Sequence, residues 1–284
     1  MSERGRADEV FPTATADDLS GRVALITGAN HGIGAATAVA LARLGAAVLV
    51  SYLRLDDPPD PGIPDAYRRN RAADATGVVE RVRAVGGRVV PVEADLADPA
   101  VPARLFDIAE RELGTVDILV NNASGWLADT FKPAAADRHG RTLRQVSAES
   151  FDAQFAVDAR AGALLIAEFA RRNVAARRGW GRVISLTSGG NDGFPEEVSY
   201  GAAKAALVNY TMTAARELAP FGITANAVHP PVTDTGWVSE EVRAAVDDGP
   251  HLLRVAEPEE VAEVIAFLAG ERGRLVTGNV VQLR

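Results

Sequence analysis

Cysteine is absent from all 284 residues, which excludes disulfides and thiolate chemistry and fits a reducing, cytoplasmic compartment. Lysine is nearly absent too. Lys132 and Lys204 are the only two, and arginine supplies the other basic positions, so each lysine stands where this composition favours arginine. No apolar run reaches membrane-spanning length, and the first twenty residues lack a basic-then-apolar secretion signal. They read as a loose N-terminal extension (1–18) ahead of a single domain (19–284). The net charge of −8 disfavours non-specific binding to nucleic acid. Neither a membrane partner nor a bound metal is expected.

What the chain does have is an alternation of short β-branched runs and longer Ala-rich stretches, the βαβ rhythm of a parallel sheet. The pattern predicts strands at 23–27, 47–52, 88–93, 116–121, 182–187, 223–228 and 275–282. Helices are predicted near 33–44, 66–85, 100–113, 150–177, 200–218 and 258–270. The fold class is therefore α/β, a doubly wound parallel sheet with helices on both faces. Two stretches exceed what the rhythm needs, near 53–65 (Pro- and Asp-rich) and 124–149. Both leave the carboxyl ends of strands, where open parallel sheets bind ligands.

Two motifs carry chemistry. TGANHGIG, Thr27 to Gly34, follows the apolar run Val23 to Ile26 and precedes an Ala-rich helix. Gly28 can take a tight turn, Gly32 lets the backbone approach a pyrophosphate, and Gly34 lets helix and strand pack closely. The free N–H groups of that helix then favour phosphate. Alone, such a pattern also describes a flexible turn. The second motif is YGAAK, which places Tyr200 and Lys204 on one helix face. A phenol beside an ammonium is a proton donor with a lowered pKa, although an isolated pair reads equally as a buried Tyr with a snorkelling Lys.

In this order, and with Asp95 in VEADLAD, NNAS at 121–124, Ser188 in GRVISLTS and Asn226 to Thr235 in NAVHPPVTDT, the motifs resemble the short-chain dehydrogenase/reductase family. The resemblance runs from about Leu19 to the C-terminus, and β-ketoacyl-carrier-protein reductases are among the similar members. It implies a Rossmann fold and a cofactor site built from Gly28, Asn30, His31, Gly32, Ile33 and Gly34, with Tyr52 and Arg54 at the end of the second strand. Asp95 and Leu96 would meet the adenine, Asn122 and Ala123 the adenosine side, and Pro230, Val232 and Thr235 the nicotinamide end. Ser188 would hold a substrate carbonyl, with Ser185 and Thr187 as alternatives. Tyr200 would give the proton, and Lys204 would bind the ribose and lower the phenol's pKa.

The second strand ends in Ser51-Tyr52-Leu53-Arg54, without the carboxylate that accepts ribose hydroxyls of NAD. Arg54 can pair with a 2′-phosphate and His31 stands at a basic position of the turn, so NADP(H) is favoured over NAD(H). Asp56 and Asp57 folding back as ribose acceptors is the alternative. Two departures from the family pattern touch the mechanism. Asp158 replaces an Asn whose backbone carbonyl supports a water chain from the lysine; either its side chain is secondary to that carbonyl, or a buried, ionised Asp158 pairs with Lys204 through water and reinforces the ammonium. Pro231 replaces a glycine. The expected activity is reduction of a small-molecule or carrier-bound carbonyl by NADPH. The alternatives are an NAD-dependent alcohol, polyol or steroid dehydrogenase and a non-catalytic nucleotide-binding protein. The resemblance also implies a homo-oligomer, a tetramer or dimer, formed through the Ala-rich helices at 150–177 and 200–218.

Overall fold

The structure, a computed structural model, describes residues 18–188, 193–249 and 253–284. The expected N-terminal extension lies outside the described residues except for Asp18. The strands are β1 (Val23–Ile26), β2 (Ala47–Tyr52), β3 (Val89–Glu93), β4 (Ile118–Asn121), β5 (Asp129–Thr130), β6 (Arg144–Gln145), β7 (Gly181–Leu186), β8 (Ile223–His229) and β9 (Val280–Gln282). Seven of them form one sheet in the order β3-β2-β1-β4-β7-β8-β9, and every pairing in it is parallel. The central runs are apolar and buried because helices cover both faces, as parallel strands require. Pro91 sits on the edge strand β3, where a missing N–H is tolerated.

The helices are α1 (Gly32–Arg43), α2 (Asp65–Ala72), α3 (Thr76–Ala84), α4 (Val101–Glu112), α5 (Ala148–Phe155), α6 (Gly162–Ala175), α7 (Val198–Glu217), α8 (Glu240–Asp247) and α9 (Pro258–Ala269). One core lies between the sheet and α1, α3 and α9. The other, on the opposite face, is built around Phe106 of α4 and Phe169 of α6, both fully buried, and each such side chain stabilises the fold by about 1.5–3 kcal/mol. The strand order reverses between β1 and β4, so their carboxyl ends open a crevice.

Three expected elements differ. The helix expected at 66–85 is two, α2 and α3, because Asn30 Nδ2 donates to Ala73 O at 2.8 Å and Asp74 Oδ1 accepts from Thr76 N at 2.8 Å, starting a new helix there. The long helix at 150–177 is interrupted by a π turn, Ala156–Ala161, between α5 and α6. The last strand shrinks to β9; upstream of it the Asn226 side chain donates to Val276 O (2.7 Å) and accepts from Asn279 N (3.2 Å), beside a backbone bond from Gly278 N to Ala225 O (2.8 Å). The short helix α8, capped by Ser239 Oγ, was not anticipated.

The two insertions meet. Asp60 Oδ2 accepts from Thr142 N at 3.0 Å, and Gly62 lies so close to the second insertion that a Cβ there would stand 2.3 Å from Arg141 N. Buried Asp129 on β5 ties this layer to the start of α7, accepting from Ser199 N at 2.8 Å and from the Ser150 and Ser199 hydroxyls.

Candidate active site

The crevice is a cleft of about 670 Å³ over the carboxyl ends of the strands. Its floor is the β1–α1 turn. Thr27 Oγ1 accepts from Asn122 N and Ala123 N, both at 3.0 Å, and Asn122 Nδ2 donates back to Thr27 O (2.9 Å) and Gly28 O (2.8 Å), stitching β1 to β4. Gly28 has φ +63° and its Cα faces Ala123, where a Cβ would come within 2.7 Å of backbone. A Cβ on Gly34 would stand 2.4 Å from Gly28 O. These contacts are why that turn needs glycine.

The cleft fits a dinucleotide on observations of its own. Gly32 and Ile33, at the N-terminus of α1, line it, and no side chain caps that helix, so its first N–H groups are open to an anion. His31 Nδ1 is buried without a partner. Asn30, Tyr52, Asp95, Leu96, Asn122, Ala123, Pro230 and Thr235 also line the cleft, with Tyr200 and Lys204 at one end. Gly34 lies beneath the turn. Val232 does not line the cleft, and its carbonyl is already engaged by Ala256 N at 2.9 Å.

Neither of the two expected phosphate cations stands free and charged in the cleft. Arg54 is exposed and held by Glu93 through a bidentate pair, Nε to Oε1 at 2.9 Å and Nη2 to Oε2 at 2.8 Å, and does not line the cleft. His31 is driven down to a pKa of about 4 by burial and then by the charge of Arg71, so it is neutral near pH 7. Arg71 of α2 is the guanidinium at this end of the cleft, paired with Asp57 at 3.2 Å. Asp57 has thus folded back, but onto an arginine. Helix α2 is held over the glycine turn by Asn30 and by Asn70 Nδ2, which donates to Thr235 O at 3.0 Å.

At the other end the Ser188 side chain, which does not itself line the cleft, is near enough to the Tyr200 phenol to favour its ionised form. Ser185 is buried and occupied, accepting from Thr211 Oγ1 (2.9 Å) and Asn121 Nδ2 (3.3 Å), which makes it structural. Thr187 lines the cleft. Lys204 Nζ donates to Leu186 O at 3.1 Å, stands 5.6 Å from the centre of the Tyr200 ring, and forms an ion pair with Asp158 Oδ1 at 3.0 Å. The carboxylate of Asp158 therefore acts directly on the lysine, as the second of the two readings has it, though by contact and not through water.

Electrostatics correct one expectation. The Tyr200 phenol lies above its ordinary pKa: burial raises it most, Lys204 lowers it, Asp158 raises it, the Ser188 side chain lowers it and Glu197 raises it. Lysine pulls in the expected direction but does not win. Lys204 itself is opposed by burial, yet the charges of Asp158 and Tyr200 outweigh this and hold its pKa above the ordinary lysine value.

Beyond these groups the cleft is walled by residues that motif spacing does not reveal, notably Tyr67, Trp126, Arg141, Phe194, Glu197 and Trp237. Arg141 joins Asp137 (2.5 Å) and Glu197 (2.8 Å) and lies over the Trp126 ring at 5.2 Å. Only the position of the two insertions at strand ends hinted at this wall. Among the described residues no helix is long and apolar enough to cross a membrane and no acidic or histidine cluster suits a metal.

The chain is similar to known proteins over most of its length. The family described as Enoyl-(Acyl carrier protein) reductase matches residues 66–283. An NADPH-dependent aldehyde reductase-like protein, chloroplastic, of Arabidopsis thaliana is 34% identical, with 93% of each chain covered. A 3-oxoacyl-[acyl-carrier-protein] reductase of Synechocystis is also 34% identical, covering 88% of this chain and 90% of that one. The crystal structure of a short chain dehydrogenase from Burkholderia cenocepacia in complex with NADP is 30% identical and superposes with a TM-score of 0.75 over 94% of this chain and 98% of the other. With the parallel sheet, the glycine turn and the Ser188, Tyr200 and Lys204 cluster in place, the chain belongs to the short-chain dehydrogenase/reductase family.

Proposed function

We propose that the protein is an NADP(H)-dependent reductase that converts a carbonyl to an alcohol with Tyr200 as the acid. The observation that carries this is the placement of the Tyr200 phenol, close to Lys204 and under the influence of the Ser188 side chain, at one end of a cleft whose other end is an open helix N-terminus beside Arg71. When bound, the nicotinamide supplies the hydride that becomes the new C–H bond. Ser188 orients the carbonyl oxygen, and the Tyr200 O–H proton becomes the O–H of the alcohol. The phenolate is then reprotonated from solvent. Lys204 holds the ribose side of the cofactor, Gly28, Gly32 and Ile33 its phosphates, and Asp95 and Leu96 its adenine. Support for NADP(H) comes from the NADP-bound relative and the NADPH-dependent one. Consumption of NADPH against NADH, read at the nicotinamide absorbance over a panel of ketones, aldehydes, ketoacyl thioesters, quinones and pterins, tests the reading. NADPH turnover on a carbonyl is expected; turnover with no carbonyl by either cofactor would leave only a nucleotide-binding protein.

We place the cation for the 2′-phosphate at Arg71. Arginine has five donors and can keep Asp57 while meeting a phosphate. Arg71→Ala should weaken NADPH by about 10- to 100-fold, the size of a charge-assisted hydrogen bond of about 1.5–3 kcal/mol, and NADH far less. Arg54→Ala should change neither. Equal losses for the two cofactors in Arg71→Ala would put the phosphate elsewhere. A homo-oligomer is supported by Phe151, Leu164 and Tyr210, exposed large side chains on α5, α6 and α7; a monomeric mass by light scattering at micromolar concentration would contradict it.

A further inference from the structure

Lys204 faces an opposite charge within the site. Asp158 and Lys204 are both almost wholly buried, and their 3.0 Å ion pair uses one carboxylate oxygen. The other oxygen accepts from Gly125 N at 2.8 Å and from Gln154 Nε2 at 2.5 Å. Each of these neighbours is a donor, so the pocket suits an ionised carboxylate. Asp158 comes from within the π turn, Ala156–Ala161, a local break in the helix of the kind that re-aims side chains at functional sites.

An ammonium alone would act on the phenol as a full charge. An ammonium with a carboxylate at 3.0 Å acts as a pair whose opposing fields largely cancel at longer range. We propose that Asp158 is a positioning residue that offsets the charge of Lys204 at the phenol and keeps Tyr200 protonated, so that the site is set to give a proton to a carbonyl rather than to take one from an alcohol. This rests on the reading of Tyr200 as the acid. An enzyme leaves the overall equilibrium unchanged, so the consequence is kinetic: reduction persists into the alkaline range, and oxidation, which needs the phenolate, begins at higher pH.

The other groups facing the phenol agree with this balance. Lys204 and Glu197 come from α7 and its N-cap, Asp158 from the π turn, and Ser188 from beyond β7. Arg141, from the second insertion, is engaged by Glu197 and Asp137. Burial and the two carboxylates act against ionisation of the phenol, Lys204 and Ser188 act for it, and the net direction is upward.

The test reads the phenol itself and needs no substrate. The chain has four tyrosines, so with 13C at tyrosine Cζ the resonance missing from Tyr200→Phe identifies Tyr200. In the full-length wild type this resonance should stay protonated up to alkaline unfolding or titrate above the ordinary value of about 10. In Asp158→Asn it should titrate lower by about one unit or more, the usual effect of a nearby charge. A wild-type phenol titrating well below that ordinary value, or an Asp158→Asn phenol unchanged from wild type, would overturn the proposal. Should Asp158→Asn fail to fold, Asp158→Ser carries the same comparison with wild type, because burial alone raises the wild-type phenol. Since no turnover is measured, an inert protein would sink the reductase reading without touching this result.

Discussion

Tyr200→Phe is expected to lower kcat for carbonyl reduction by ~10²–10⁴-fold, the usual contribution of a positioned acid, while NADPH affinity stays near wild type. The variant deletes one hydroxyl. Its ring keeps the place against Phe194, whose centroid is 5.7 Å away, and the Lys204–Asp158 pair is not touched. Steady-state rates with a fluorescence titration of NADPH separate the two quantities. Wild-type turnover in this variant would remove Tyr200 from the chemistry, and lost NADPH affinity would make it a binding residue instead.

Lys204→Met should be strongly destabilising. It removes an ammonium and leaves the buried Asp158 without its counter-charge, and breaking one partner of a buried pair costs about 3–5 kcal/mol. The double variant Lys204→Met/Asp158→Asn should recover most of that loss, because the carboxylate that needed a partner is gone. Thermal unfolding of the four proteins closes the cycle. The pH dependence has a definite sign. Lys204 has a folded pKa above its ordinary value, so its contribution is fully present below the ordinary lysine pKa and is lost as pH rises through the folded value. Wild-type stability from this group should therefore hold from neutral into mildly alkaline pH and fall only beyond. A melting temperature of Lys204→Met equal to wild type near neutral pH would mean that Asp158 has another partner.

The parts legible in the sequence were those written in local spacing. Gly28, Gly32 and Gly34 between an apolar run and an Ala-rich helix gave strand, turn and helix without long-range information, and the interval from Tyr200 to Lys204 put both side chains on one helix face. Arg54 shows where such reasoning stops. Its neighbour Glu93 is far away in the chain, and only the parallel register of β2 and β3, which pairs Tyr52 with Glu93, brings the two together. The competing cation Arg71 sits on α2, a helix whose orientation depends on Asn30 and Asn70 finding distant backbone carbonyls. The phenol pKa is not legible in the sequence for a related reason. Charge is visible in a sequence, but burial is not, and at Tyr200 burial is the largest influence. For Asp158, the substitution was visible while the π turn that aims it at the lysine was not.

The central claim is hydride transfer to a carbonyl carbon with Tyr200 giving the proton. NADPH carrying deuterium at the transferable position of nicotinamide C4, incubated with a carbonyl that the panel shows to be reduced, tests it most directly when the alcohol is analysed by mass spectrometry and NMR. The account predicts one deuterium on the carbinol carbon, none on oxygen after exchange in water, and almost no labelled alcohol with Tyr200→Phe. Deuterium on a different carbon, or equal labelling by wild type and Tyr200→Phe, would contradict it.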